Sequence, residues 1–71
     1  MAPDDERLTK LVHDLRTPLT VVSGFAELLV RRGAELAPEQ RDEYLSRIVD
    51  GTKEMREILD EERASRKGGG A

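Results

Sequence analysis

The stretch that decides the fold is Leu8–Leu29, LTKLVHDLRTPLTVVSGFAELL, where apolar residues recur at alternating steps of three and four. This spacing is typical of an α-helix that buries one side. Two such rows overlap, Leu8, Leu11, Leu15, Pro18, Val22, Phe25, Leu29 and Val12, Leu15, Leu19, Val22, Ala26, Leu29. Their combined width favours a helix with two neighbours, as in a four-helix bundle.

The residues that follow predict a second helix, antiparallel to the first. Arg31 and Arg32 before Gly33 are typical of a helix C-terminus with a left-handed glycine cap. A short connection leads to Pro38 in the first turn of the next helix, which runs to about Ala64. Its apolar rows are Leu45, Ile48, Thr52, Met55, Leu59 and Tyr44, Ile48, Gly51, Met55, Ile58.

Gly51 lies within both the second helix and its apolar side. A glycine in a helix interior costs about 1 kcal/mol relative to alanine. Either it permits a close approach of the two helices or it is simply tolerated there. The pattern of the sequence favours neither alternative over the other.

Size and composition limit the fold. A chain of 71 residues buries little core alone, and without cysteine it has no disulfides. A single histidine excludes a zinc cluster, so oligomerisation remains as a source of stability. We therefore expect an all-α protein, a two-helix antiparallel hairpin that dimerises into a four-helix bundle. The domain would span residues 4–64, followed by a flexible tail over residues 65–71.

The charge pattern limits the partners. The net charge is -3 with both signs interleaved, and aromatic residues are only 3% of the chain, which argues against a nucleic-acid surface. No apolar run is long enough for a membrane span, and no leader peptide is recognisable. We expect a cytoplasmic piece, whether or not a longer parent protein is anchored in a membrane.

The only histidine, His13, is predicted to face solvent. Heptad position a of the first helix is held by Leu8, Leu15, Val22 and Leu29. His13 then occupies position f, opposite the seam, where an imidazole offers a nucleophilic nitrogen at neutral pH. Asp14 can orient the ring or accept one ring proton, leaving the other nitrogen as nucleophile. The alternatives are an ordinary solvated histidine and an Asp14 that pairs with Lys10.

The residues after His13 add further chemistry. Pro18 removes the N–H that would bond the Asp14 carbonyl, at a cost of about 3 kcal/mol, and predicts a kink beside His13. Thr17 shares the side of His13 and can hold a water or a phosphoryl oxygen, or else bond a preceding carbonyl. Arg16 can pair with an anionic phosphoryl group or, as most surface arginines do, only extend into solvent.

Residues 13–19, His-Asp-Leu-Arg-Thr-Pro-Leu, resemble the H-box of the sensor histidine kinases at every position. The likeness covers about residues 4–64 as a dimerisation and histidine-phosphotransfer domain, with high specificity only in the first helix. It implies that His13 is the phosphoacceptor, which takes the γ-phosphoryl group of ATP and passes it to an aspartate of a response regulator.

The resemblance also implies roles for the neighbouring residues. Asp14 would activate the imidazole, Thr17 would position water for dephosphorylation of the regulator, and Pro18 would let the helix bend. The receiver domain of the regulator would dock below His13, with part of the second helix, on a surface formed by Arg16, Thr17, Thr20, Val21 and Gly24.

One part of the family pattern is missing. The ATP-binding catalytic domain that follows this domain in the family is absent from these residues, and the triple glycine Gly68–Gly70 is no substitute. We therefore expect no cofactor in this piece, with ATP and Mg supplied through that catalytic domain, and no autophosphorylation by this chain alone. It is either a fragment of a kinase or a stand-alone phosphotransfer module.

A competing hypothesis is a helical dimerisation or adaptor module that is not catalytic. It explains both apolar sides equally well. It leaves His13, Asp14 and Pro18 as a coincidence.

Overall fold

The computed structural model describes the backbone of residues 3–70 and the side chains of residues 6–64. Helix α1 spans Pro3–Arg32, a single 3₁₀ turn spans Gly33–Glu35, and helix α2 spans Pro38–Gly70. The hairpin is flat and long, with extents of 52 × 23 × 11 Å. The predicted all-helical antiparallel hairpin is confirmed.

The connection between the helices is built differently from the prediction. No described residue has a positive φ, so the predicted left-handed cap at Gly33 is wrong. Instead, the Leu36 N–H donates to the Gly33 carbonyl over 3.3 Å, and the Arg41 guanidinium donates to the same oxygen over 3.0 Å. A 3₁₀ turn and a side chain thus satisfy the Gly33 carbonyl without a left-handed cap.

The start of α2 is the predicted one. Pro38 stands at its first position, where the missing N–H costs nothing. The Gln40 side chain accepts a hydrogen bond from the Ala37 N–H over 3.4 Å, which is one half of a capping box. The sequence thus fixes the point at which the chain enters α2.

The end of α2 differs from the prediction. The helix continues to Gly70, so the predicted end near Ala64 is wrong for the backbone. Glycine costs a helix about 1 kcal/mol per residue but, unlike proline, removes no hydrogen bond. The predicted flexibility of residues 65–71 stays a prediction, and Ala71 lies outside the described residues.

The helices pack along one side of each. The facing apolar side chains are only half-buried: Leu11, Leu15, Val22, Phe25, Leu29, Tyr44, Ile48, Met55 and Ile58. Near the connection, the rings of Phe25 and Tyr44 meet with centroids 5.1 Å apart. Within residues 6–64 the only buried positions are Pro18 and Gly51, and no large apolar side chain is buried. One hairpin therefore has no closed core.

A second apolar side of the hairpin lies open to solvent. Its side chains are 47–54% exposed and form what we call the open face: Leu8, Val12, Leu19, Leu45 and Leu59. At 3.6 residues per turn, they lie about a quarter turn from the contact between the helices, on the same side of both. This is the second neighbour surface that the two apolar rows predicted.

Candidate functional site

The imidazole of His13 projects from α1 into solvent, with 82% of the side chain exposed. The heptad placement predicted this position. Nδ1 lies 3.6 Å from the Asp14 Oδ1, which is within ion-pair range but longer than a hydrogen bond. Because the carboxylate lies on the Nδ1 side of the ring, Nε2 is the nitrogen left for an incoming group.

Asp14 stands at the edge between solvent and the contact of the two helices. Its side chain is 42% exposed and lines a groove between the helices, whose far wall includes Ile58. The groove is bridged by an ion pair of 3.6 Å between Arg7 and Glu62. The alternative pairing of Asp14 with Lys10 is not formed, so among the described residues the partner within ion-pair distance of Asp14 is His13.

Pro18, one turn beyond Asp14, is buried against α2 at Gly51. A Cβ built on Gly51 would lie 3.3 Å from the Pro18 carbonyl oxygen and 2.5 Å from the Cγ2 of Val22. Of the two alternatives for Gly51, close approach of the helices is therefore correct. Helix α1 runs on through Pro18, and the predicted bend there stays a prediction.

Thr17 lies exposed, one turn after His13. Among the described residues its hydroxyl makes no hydrogen bond, so the alternative of bonding a preceding carbonyl is not realised. It lines what we call the lower groove, which is formed by Thr17, Pro18, Val21, Arg47, Asp50, Gly51, Lys53, Glu54 and Glu57. The charged α2 side of this groove was not identified from the sequence, because the pairing of the helices was unknown.

The residues predicted to dock a partner are only partly brought together. Thr20, Val21 and Gly24 line one shallow depression, and Gly24 leaves it open because no atom lies within 4 Å of a Cβ placed there. The Thr20 hydroxyl donates to the Arg16 carbonyl over 2.8 Å. By helix geometry the Arg16 side chain lies on the other side of His13, away from this depression.

The family model of the His Kinase A (phospho-acceptor) domain, HisKA, matches residues 5–69. The chain belongs to this family. No curated protein and no solved structure matches it at a significant level. The resemblance carried by residues 13–19 is confirmed, and the chain is a HisKA phosphoacceptor and dimerisation domain of the sensor histidine kinases. Domains of this family dimerise into four-helix bundles and interact with response regulators.

The glycine run and the acidic side chains were the remaining candidates for a ligand site in the described part of this HisKA domain. The backbone of residues 68–70 is helical and therefore forms no phosphate-binding loop. Within residues 6–64, no three His, Cys, Asp or Glu side chains cluster as metal ligands. Over the described residues, neither helix combines the length and apolar character needed to cross a bilayer.

Proposed function

We propose that His13 takes the γ-phosphoryl group of ATP bound on a separate catalytic domain of the same kinase and passes it to an aspartate of a response regulator receiver domain. The observation that carries this proposal is the pairing of an 82% exposed imidazole with a carboxylate at Nδ1 inside a matched HisKA domain. A helix made only for packing would have no use for that pair.

In this proposal each ring nitrogen has its own task. The Nε2 lone pair forms the bond to the γ-phosphorus, while the bond from phosphorus to the bridging oxygen breaks and ADP leaves with its electron pair. Positive charge develops on the ring, and Asp14 at Nδ1 stabilises it and accepts the Nδ1 proton. In the second transfer, an aspartate oxygen of the receiver bonds to phosphorus and the electron pair of the P–N bond returns to Nε2.

As in the histidine kinase family, Mg and ATP would be held by the separate catalytic domain. This part of the chain would supply the acceptor. We place the domain in the cytoplasm, because its donor ATP and its receiver partner are found there.

Docking of the receiver is proposed on the side of α1 below His13. Thr17, Thr20, Val21 and Gly24 lie there, and Arg16 flanks His13 on the other side. The free hydroxyl of Thr17 supports its role in holding a water for the reverse reaction. On α2, the charged residues of the lower groove would meet the same partner.

We further propose that this chain is a homodimer, joined through the open face. Pairing two hairpins about a twofold axis buries apolar side chains that one copy leaves about half exposed. His13 lies on a different side of α1 from Leu19, so pairing leaves the imidazole accessible.

The test supplies an ATP-binding domain of a histidine kinase in trans, with ATP labelled on the γ-phosphate. We expect acid-labile label on the wild-type chain and none on His13→Gln. The matched control is Glu27→Gln, an exposed position of the same heptad class on α1, which should label like the wild type. Label that survives His13→Gln would reject the assignment. A purely structural adaptor would instead be insensitive to that change while depending on Leu15 and Ile48.

A further inference from the structure

The surface just before His13 carries a lysine that the proposed function does not use. Lys10 is exposed one helical turn before His13, and the two side chains line one shallow depression with Glu6 and Thr9. Among the described residues, Lys10 has no ion-pair partner, because Asp14 lies beside His13 instead. Its ammonium is therefore available next to the imidazole.

Residues of the same type stand at equal distances before and after His13 in the sequence. A cation stands three residues away on each side, Lys10 and Arg16, and a threonine stands four residues away on each side, Thr9 and Thr17. Side chains at these spacings are neighbours on a helix, with Cβ atoms about 5–6 Å apart. The second half of this arrangement belongs to residues 13–19, whereas Lys10 lies outside them.

We propose that Lys10 is a binding residue for the phosphoryl group of His13. Its ammonium pairs with the phosphoryl oxygens, first as the group is transferred to His13 and then in phosphohistidine. This inference rests on the proposed function, since it requires a phosphoryl group on His13. A flexible lysine suits the task, because it binds phosphate as a point charge without a fixed geometry.

The charges around the site show what Lys10 offsets. A phosphoryl group brings close to two negative charges. The acids nearby oppose it: Glu6 and Asp14 on α1, with Glu61 and Glu62 across the groove on α2. Of the cations in that groove, Arg7 is already paired with Glu62 at 3.6 Å. Lys10 is the cation of the groove that remains for the phosphoryl oxygens.

Coulomb attraction sets the size of the effect. For an ammonium about 6 Å from one or two negative charges in water, loss of the cation slows transfer by about three- to tenfold at low ionic strength. At 0.15 M salt the screening length is about 8 Å, and the effect falls to about two- to threefold. A role of Lys10 in helix structure alone would show no such dependence on salt.

The experiment uses the whole chain with phosphoramidate, a small anionic donor, at pH 8. The Nε2 lone pair forms the new P–N bond, while the P–N bond of the donor breaks and ammonia leaves with its electron pair. Phosphorylation is followed by ³¹P NMR in wild type, Lys10→Gln, Lys10→Arg and Arg31→Gln. The last removes one positive charge from α1 about 27 Å from His13 and serves as the control.

A second reagent separates binding of the phosphoryl group from the reactivity of the ring. Diethyl pyrocarbonate is uncharged and modifies the same imidazole. We expect Lys10→Gln to be slowed about three- to tenfold with phosphoramidate at low salt and unchanged with diethyl pyrocarbonate. Lys10→Arg and Arg31→Gln should both stay close to the wild type with either reagent.

Two results would overturn the proposed role of Lys10 while leaving the proposed function of His13 intact. One is a phosphoramidate rate for Lys10→Gln equal to that of Arg31→Gln. The other is equal slowing with both reagents, which would indicate an altered imidazole. If the wild type gains no label, or His13→Gln gains as much, the proposed function fails and the role of Lys10 fails with it.

Discussion

Gly51 on α2 lies where any side chain would collide with Val22 on α1. A Cβ at that position would lie 2.5 Å from the Cγ2 of Val22, a separation that real Cβ atoms essentially never show. The same atom would lie 3.3 Å from the Pro18 carbonyl oxygen, which belongs to the backbone and cannot rotate away. The two helices therefore cross, one turn beyond Asp14, at a distance that glycine permits.

The first prediction concerns Gly51→Ala. The added methyl group forces α2 away from the stiff, β-branched Val22, and such overpacking costs about 1–3 kcal/mol. Set against the gain of about 1 kcal/mol that alanine brings to a helix interior, this cost leaves a net loss of up to about 2 kcal/mol. We expect a lower free energy of unfolding in urea, measured at fixed protein concentration.

The control for this prediction is Gly24→Ala on α1. No atom lies within 4 Å of a Cβ at position 24, so only the gain in helix propensity of up to about 1 kcal/mol remains. Equal stabilities of Gly51→Ala and Gly24→Ala would show that the close crossing does not exist in solution.

The second prediction concerns Asp14→Asn. An amide at 3.6 Å from Nδ1 cannot stabilise the positive charge that develops on the ring or accept its proton. We expect phosphorylation of His13 to slow by about 10²-fold, the lower end of the range for a lost acid–base group. The rate is measured with phosphoramidate and ³¹P NMR, and Asp50→Asn on α2 serves as the control. An unchanged rate would assign the transfer to His13 without help from Asp14.

The third prediction concerns Pro18→Ala. The variant restores the N–H that can bond the Asp14 carbonyl and relieves about 3 kcal/mol of helix strain. It also removes buried methylene groups from the contact with α2, at about 0.8 kcal/mol each. We expect a net gain of about 1 kcal/mol in urea unfolding and, with an ATP-binding domain present, a disturbed balance of kinase and phosphatase activities. If that balance does not move, bending at Pro18 has no part in switching.

The fourth prediction separates the two sides of α1. Leu19→Glu places a charge in the open face and should convert a dimer into a monomer in analytical ultracentrifugation. Val21→Glu makes the same kind of change two residues on, nearly opposite on the helix, and should keep the dimer while weakening receiver docking. The proposed dimer surface is wrong if both variants sediment like the wild type.

The sequence was sufficient to predict those features that depend on the geometry of a single helix. The three-and-four spacing from Leu8 to Leu29 predicted α1, and heptad counting placed His13 in solvent, because both depend only on helix geometry. It failed at Gly33 and at Gly70, where the choice between helix and turn rests on a difference of about 1 kcal/mol.

The contacts between the two helices could not be predicted from the sequence pattern. Gly51 opposite Pro18 and the charged rim of the lower groove depend on how α2 is aligned with α1. That alignment is set by the exact path of the connection and by packing, which periodicity does not encode. For this reason the sequence left the role of Gly51 open, although the residue itself stood out.

The lack of a closed core ties the supply of phosphoacceptors to the abundance of the protein. Since no large apolar side chain of residues 6–64 is buried within one hairpin, a solitary copy gains little free energy by folding. Its melting temperature should therefore rise with protein concentration, as it does for any fold completed by a second copy. At low expression, unpaired chains would be largely unfolded and open to proteolysis. Only the His13 side chains of dimers would then persist in the cell.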